Sequence, residues 1–121
     1  MKGRILLIHW NRLEAVELAK PLRAKGWTVE IESRDGARAC RSFRAKPPEL
    51  VLIYLTRLTS HGRETGHALR SLKTTHHVPI VFIDGEGVPL RQTKVKVPGA
   101  VFLTSADLDQ WLDGFRPASI S

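Results

Sequence analysis

The chain has 121 residues, one cysteine and a formal net charge of +7. That length suits one domain able to bury its own core without a disulfide or metal staple, and Cys40 alone excludes an internal disulfide. No apolar run approaches the ~20 residues of a membrane-crossing helix, and the N-terminus lacks the pattern of a signal peptide, so a reducing cytoplasm is the expected compartment.

In chain order, the first apolar run is Arg4 to Ile8, read as a strand. His9, Trp10 and Asn11 follow, with Asn11 as N-cap of a helix that is predicted to turn Leu13, Val16, Ala19 and Leu22 toward a sheet and to end at Gly26. Pro21 lies inside that pattern and predicts a bend, not a break. A second strand, Trp27 to Ile31, alternates less cleanly.

The next helix is predicted to start near Asp35, with Ala37, Cys40 and Phe43 inward and Arg34, Arg38 and Arg41 outward as a stripe, and to stop at Pro47 and Pro48. Leu50 to Leu55 is a third strand. After a loop of Thr59, Ser60, His61 and Gly62 comes a third helix whose Ala68, Leu69 and Leu72 are expected to face the sheet, ending in the Lys73 to His77 segment. Pro79 to Ile83 is a fourth strand.

From Asp84 onward, Gly85, Gly87, Pro89, Thr93, Val95 and Val97 all lower helix propensity, which predicts a fourth helix that is short, distorted or partly absent. Ala100 to Thr104 is a fifth strand. The last helix, with Ser105 as N-cap, carries the stripe Leu108, Trp111, Leu112 and Phe115. Residues 117–121 are expected to form a flexible tail.

Short, continuous apolar runs alternating with helices describe strands covered on both faces, hence a doubly wound α/β domain with a parallel sheet. Five βα units, the Ile5 to Ile8 opening strand, Gly26-Trp27-Thr28-Val29, Pro48-Glu49-Leu50-Val51-Leu52-Ile53, Gly62 eight residues after Tyr54, Val78-Pro79-Ile80-Val81 and Pro98-Gly99-Ala100 then fall in register with one family. Over residues 1–116 the chain resembles the CheY-like receiver domain of two-component response regulators, which implies a flavodoxin-like five-stranded sheet of order 2-1-3-4-5 with helices on both faces.

The resemblance fails at the residues that carry the family's chemistry. The acidic pair that binds magnesium after strand one is replaced by His9 and Trp10, and the phosphate-accepting aspartate by Tyr54. The small hydroxyl residue at the end of strand four, which senses the phosphoryl group, aligns with Asp84; the lysine after strand five aligns with Ser105, or with Ala106 if no residue is deleted. Phosphoryl transfer to a carboxylate needs that carboxylate and a divalent cation held by oxygen ligands. The residues therefore predict a degenerate pseudo-receiver with no catalytic site, no metal and no cofactor.

Doubly wound sheets bind ligands at the strand ends, where His9, Trp10, Tyr54, Thr56, Arg57, Asp84, Gly85, Thr104 and Ser105 gather. Tyr54 and Trp10 are expected to fill the vacated acidic pocket while the polar groups bond one another; the alternative is an anion held near the third helix's N-terminus by Arg57, His61 and Arg63. His76 and His77 lack metal-site spacing, Gly85-Glu86-Gly87 lacks the rest of a phosphate loop, Ser60 and His61 lack a third triad member, and Cys40 reads as core.

The expected role is a phosphorylation-independent module of signal transduction, not an enzyme, that docks on a partner protein through the fourth strand, the segment after it and the last helix. The alternative is a ligand, anion or nucleic-acid sensor that uses the strand-end pocket or the Arg34, Arg38 and Arg41 stripe, a row that can track phosphates or meet an acidic protein surface. No membrane partner is expected, and the chain is read as a monomer or homodimer without an output domain of its own.

Overall fold

The computed structural model describes residues 3–56, 59–73 and 76–116, with nothing said of the Thr59 side chain. The expected flexible tail lies outside the described residues. Ten elements alternate: β1 (Gly3–Ile8), α1 (Arg12–Ala24), β2 (Trp27–Glu32), α2 (Gly36–Ala45), β3 (Leu50–Tyr54), α3 (Thr59–Arg70), β4 (Ile80–Ile83), α4 (Gly87–Lys96), β5 (Val101–Leu103) and α5 (Ser105–Gly114). All strand pairs are parallel and the sheet order is β2-β1-β3-β4-β5, the doubly wound order the sequence predicts.

The strands are apolar throughout because both faces are covered. Ile5, Leu7, Leu50, Leu52 and Ile83 meet Ala15, Ala19 and Leu22 of α1 and Leu108 and Leu112 of α5 on one side. Leu6, Ile8, Val51, Ile53 and Phe82 meet Ala39 and Phe43 of α2, Leu69 of α3 and the end of α4 on the other. Among the described residues no helix is long and apolar enough to cross a membrane.

Several helix predictions are corrected. In α1, Leu13 is 81% exposed, and the alanines at 15 and 19 make the close contact with the sheet in its place. Pro21 leaves α1 unbroken, as predicted. In α2, capped by Asp35 through its bond to the Ala37 amide at 2.9 Å, Ala39 and Phe43 are buried while Ala37 is exposed and Cys40 half-buried. The thiol of Cys40 is pushed up by burial, with Arg44 acting against the shift.

The segment read as a loop at Thr59 to Gly62 is already the first turn of α3, and Ala68 faces solvent. Its packing side is instead Gly62, Thr65, Gly66 and Leu69, all buried. A Cβ at Gly66 would stand 2.5 Å from the Phe82 ring, which itself stacks on Phe102 with ring centres 5.2 Å apart. Gly66→Ala is therefore expected to lower stability by roughly 1–2 kcal/mol in urea denaturation through this overpacking, whereas Ala68→Gly should cost only about 1 kcal/mol through helix propensity.

The largest correction concerns α4, which is a regular ten-residue helix and not a distorted fragment. Pro89 lies in its first turn, where the missing amide hydrogen has no partner to lose. Thr93 is fully buried and its hydroxyl donates to the Pro89 carbonyl at 2.8 Å, while buried Val97 closes the helix. In α5 the N-cap is Thr104, not Ser105. Its hydroxyl donates to the Asp107 carboxylate at 3.1 Å, and the stripe of Leu108, Trp111, Leu112 and Phe115 packs on the core as predicted.

Candidate functional site

Strand register builds the rim at the carboxyl ends. Ile8 lies opposite Ile53, Tyr54 opposite Ile83, and Ile83 opposite Leu103. The next residue of each strand therefore comes level with its neighbour, which sets His9 beside Tyr54 and Asp84 beside the start of α5. The His9 and Tyr54 rings are 5.2 Å apart.

His9 is 2% exposed and bonded on both sides. Its Nδ1 accepts from the Asn11 amide at 3.1 Å and its Nε2 lies 3.1 Å from a Glu14 carboxylate oxygen. Since an amide can only donate, Nδ1 carries the lone pair and Nε2 the hydrogen aimed at Glu14. The same turn places Asn11 as N-cap, accepting from the Glu14 amide at 3.1 Å.

Asp84 has φ +64, the left-handed region that aspartate tolerates better than most residues. Its Oδ1 accepts the Ser105 amide at 2.7 Å, its Oδ2 accepts the Ser105 hydroxyl, and its own amide donates to the Leu103 carbonyl at 3.0 Å. A carboxylate from the end of β4 thus caps the first turn of α5, satisfying an otherwise orphaned amide and complementing the positive helix terminus. Two strand-end residues 21 positions apart in the chain are thus joined directly.

Tyr54 is 3% exposed, yet among the described residues none makes a hydrogen bond to its hydroxyl. Its ionisation is pushed up to about 12, first by burial and then by the charges of Asp84 and Asp109. Trp10 packs on the opposite side of the sheet, in the cluster of α2, α3 and α4. Its ring meets that of His61 edge-on at 5.8 Å, and its indole nitrogen is buried without a partner. The expectation that Tyr54 and Trp10 jointly fill the pocket is therefore corrected. A cavity of about 740 Å³ remains beside Tyr54, bordered by His9, Glu14, Glu17, Asp84 and Ser105.

The sequence reading missed α1's contribution to that cavity. Leu13 and Leu18 form its apolar lip and Glu14 and Glu17 its acidic side. The signal was the lone exposed leucine of an otherwise alanine-packed helix, which a hydrophobicity pattern reads as core.

The proposed anion trio does not assemble. Arg57 lies outside the described residues, His61 is exposed against Trp10, and Arg63 is turned to α4, where it donates to Gln92 at 3.2 Å and lies 4.0 Å from Glu64. The α2 stripe is exposed as predicted, but Arg38 is committed to Glu32 at 3.1 Å. Glu32 is 6% exposed and also accepts the amides of Arg34 and Asp35 at 2.9 and 3.1 Å, organising the entry to α2. His76 and His77 are exposed.

No protein-family model and no curated protein matches this chain. Among solved structures it is similar to the chemotaxis protein CheY4 of Vibrio cholerae, with a TM-score of 0.78 and 16% identity over 93% of this chain and 98% of that one. It is similar also to the receiver domain of a sensor histidine kinase of Pseudomonas aeruginosa, described with magnesium in its active-site cleft (TM-score 0.77, 20% identity, 93% and 96% covered). A LuxR-family response regulator of Aurantimonas gives a TM-score of 0.74 at 20% identity, with 99% and 93% covered. The chain has the receiver fold.

The rim does not fit the magnesium that the Pseudomonas domain holds. Magnesium demands near-octahedral oxygen ligands, whereas the His9 and Trp10 side chains offer no oxygen and Tyr54 only a neutral phenol, leaving Asp84 as the single carboxylate among the described residues at the ends of β1, β3 and β4. Among the described residues no three His, Cys, Asp or Glu side chains are grouped to hold a metal ion.

Proposed function

We propose that the protein is a receiver-like module of signal transduction that works without phosphorylation, has no catalytic activity and acts by docking on a partner protein. The observation that carries this reading is the Asp84–Ser105 tie. By the resemblance, Asp84 stands where the family has the hydroxyl residue that senses the phosphoryl group, and Ser105, or Ala106 if no residue is deleted, where it has a lysine. A carboxylate and a hydroxyl bonded to each other hold the end of β4 on the start of α5 in one arrangement, with no charge change needed to set it. Tyr54 supports the same reading, since a phenol held neutral by burial is no carboxylate nucleophile.

The docking face we propose is α4 with α5; β4, which the sequence reading included in this face, is fully buried and is dropped from it. On α4, Val88 and Val95 are 53% and 82% exposed two helical turns apart, with Arg91 between them. Exposed apolar residues on one side of a helix, rimmed by charge, are the composition of a recognition surface. The test is affinity capture from the native cell with the wild type and with Val88→Glu/Val95→Glu. The expected result is a defined protein retained by the wild type and lost by the double variant, whose thermal stability stays unchanged; equal capture by both would refute this face.

A second reading draws on the distribution of charge. α2 carries Arg38, Arg41 and Arg44 and α4 carries Arg91, Lys94 and Lys96, neither with an acidic residue, whereas α5 carries Asp107, Asp109 and Asp113 and no base. Arg41, Arg44 and Arg91 have no ion-pair partner among the described residues. A basic layer of this kind suits a polyanion such as nucleic acid. Recovery of nucleic acid in place of protein in the same capture, released by added salt, favours it.

A further inference from the structure

We propose that the strand-end cavity is a binding site for a small organic cation, an ammonium or guanidinium group carried on an apolar stem. This goes beyond the docking reading and does not depend on it. The cavity of about 740 Å³ lies where the fold places ligands, at the carboxyl ends of β1, β3 and β4. Carboxylates border it from two directions, Glu14 and Glu17 on α1 and Asp84 at the end of β4; no lysine or arginine lines it, though Glu17 pairs with Lys20 outside it at 2.9 Å and Glu14 with His9 at 3.1 Å.

The Tyr54 hydroxyl is the independent sign that something is to be bound there. It belongs to a residue only 3% exposed, it borders the cavity, and among the described residues nothing bonds to it. The hydroxyl opens into the cavity with its donor and acceptor capacity unused by the protein, so a ligand group seated there can bond it. Because its ionisation is pushed up to about 12, the hydroxyl is neutral at physiological pH and can accept a hydrogen bond from an ammonium. The Asp84 and Asp109 charges that oppose a phenolate there favour a cation in the same place.

An organic cation fits better than a metal ion. The carboxylates surround the space without converging on one point, and among the described residues none forms a metal-binding group. Each Asp84 oxygen, though bonded to Ser105, keeps a second lone pair for a donor. Leu13, 81% exposed, and Leu18 supply an apolar lip over which an alkyl or aryl stem can lie. The cation can belong to a free amine or to a lysine side chain of a partner protein, and the chemistry is the same.

The test is a backbone NMR titration of the full chain with phenethylammonium, with Nα-acetyl-lysine amide, and with the neutral and anionic controls phenylethanol and phenylpropionate. Saturable shifts of Tyr54, Asp84, Ser105 and Leu13 amides with the cations, and not with the controls, are expected. A stronger response to phenethylammonium points to a free amine and a stronger response to the lysine derivative to a partner's side chain. Tyr54→Phe, which keeps the ring, should weaken Kd about fivefold and Asp84→Asn about tenfold, while Arg41→Ala on the far face changes nothing. Absence of saturable shifts with either cation, equal response to cation and anion, or shifts mapping away from these residues would overturn the proposal. None of these outcomes bears on phosphorylation or on the α4 face, so the two readings fail separately.

Discussion

Titrated with alkali, the folded protein is expected to ionise its single tyrosine at a pH near 12, and the unfolded protein in urea near 10. Because Tyr54 is the only tyrosine, the phenolate absorbance reports this one site without deconvolution. Burial of the ring is the main cause, and the carboxylates of Asp84 and Asp109 add to it. The linkage follows from the direction: below pH 10 both states keep the proton, and between 10 and about 12 only the folded state does, so stability is whole below 10 and falls as pH rises through this window. A displacement of this size is worth roughly 3 kcal/mol once both states have ionised. Tyr54→Phe should abolish the tyrosine's part of this alkaline loss. A native midpoint near 10 would show that the ring is open to water and remove the physical basis for a neutral, buried phenol at the end of β3.

Replacing Asp84 by alanine is expected to cost about 3 kcal/mol in chemical denaturation. The variant removes two bonds to a charged acceptor and leaves the Ser105 amide at the start of α5 without its cap. It also puts a Cβ with no compensating polar group at φ +64. A series separates the two contributions. Asp84→Gly removes the cap but relieves the backbone, so it should recover about 1 kcal/mol of the loss, and Asp84→Asn, which tolerates the same φ and can still accept the amide, should be the mildest of the three. If alanine and asparagine behave alike, the tie between β4 and α5 contributes little, and the argument for a single fixed arrangement of this face loses its support.

Much of the architecture was legible because a parallel sheet buried on both faces writes itself as continuous apolar runs. Leu50 to Tyr54 and Ile80 to Ile83 are fully buried, and nothing polar interrupts them. The helices were harder where packing is done by small residues. A leucine at 13 outweighs an alanine at 15 in any hydrophobic pattern, yet a helix lying close to a sheet needs the alanine inside. The same holds for Gly62 and Gly66 in α3, whose lack of a side chain is what lets Ile53 and Phe82 come near. Propensity misjudged α4 because Pro89 sits where a helix accepts proline, and because Thr93 and Val97 are held by burial.

At the site, the identities of the strand-end residues could be read from strand position alone, and they sufficed to argue that the phosphorylation chemistry is missing. Their pairings could not. Asp84 and Ser105 are 21 residues apart and meet only because β4 and β5 are neighbours in register. Glu14 reaches His9 because Asn11 turns the chain into α1 at that point. Trp10 and Tyr54, both at strand ends, lie on opposite sides of the sheet, which no spacing in the sequence discloses.

The central claim is that this receiver fold carries no working phosphoryl site. Backbone NMR spectra of the protein with beryllofluoride and magnesium test it most directly. The account predicts spectra unchanged from those of the free protein at Tyr54, Asp84 and Ser105; saturable shifts at these residues, dependent on both reagents together, would contradict it.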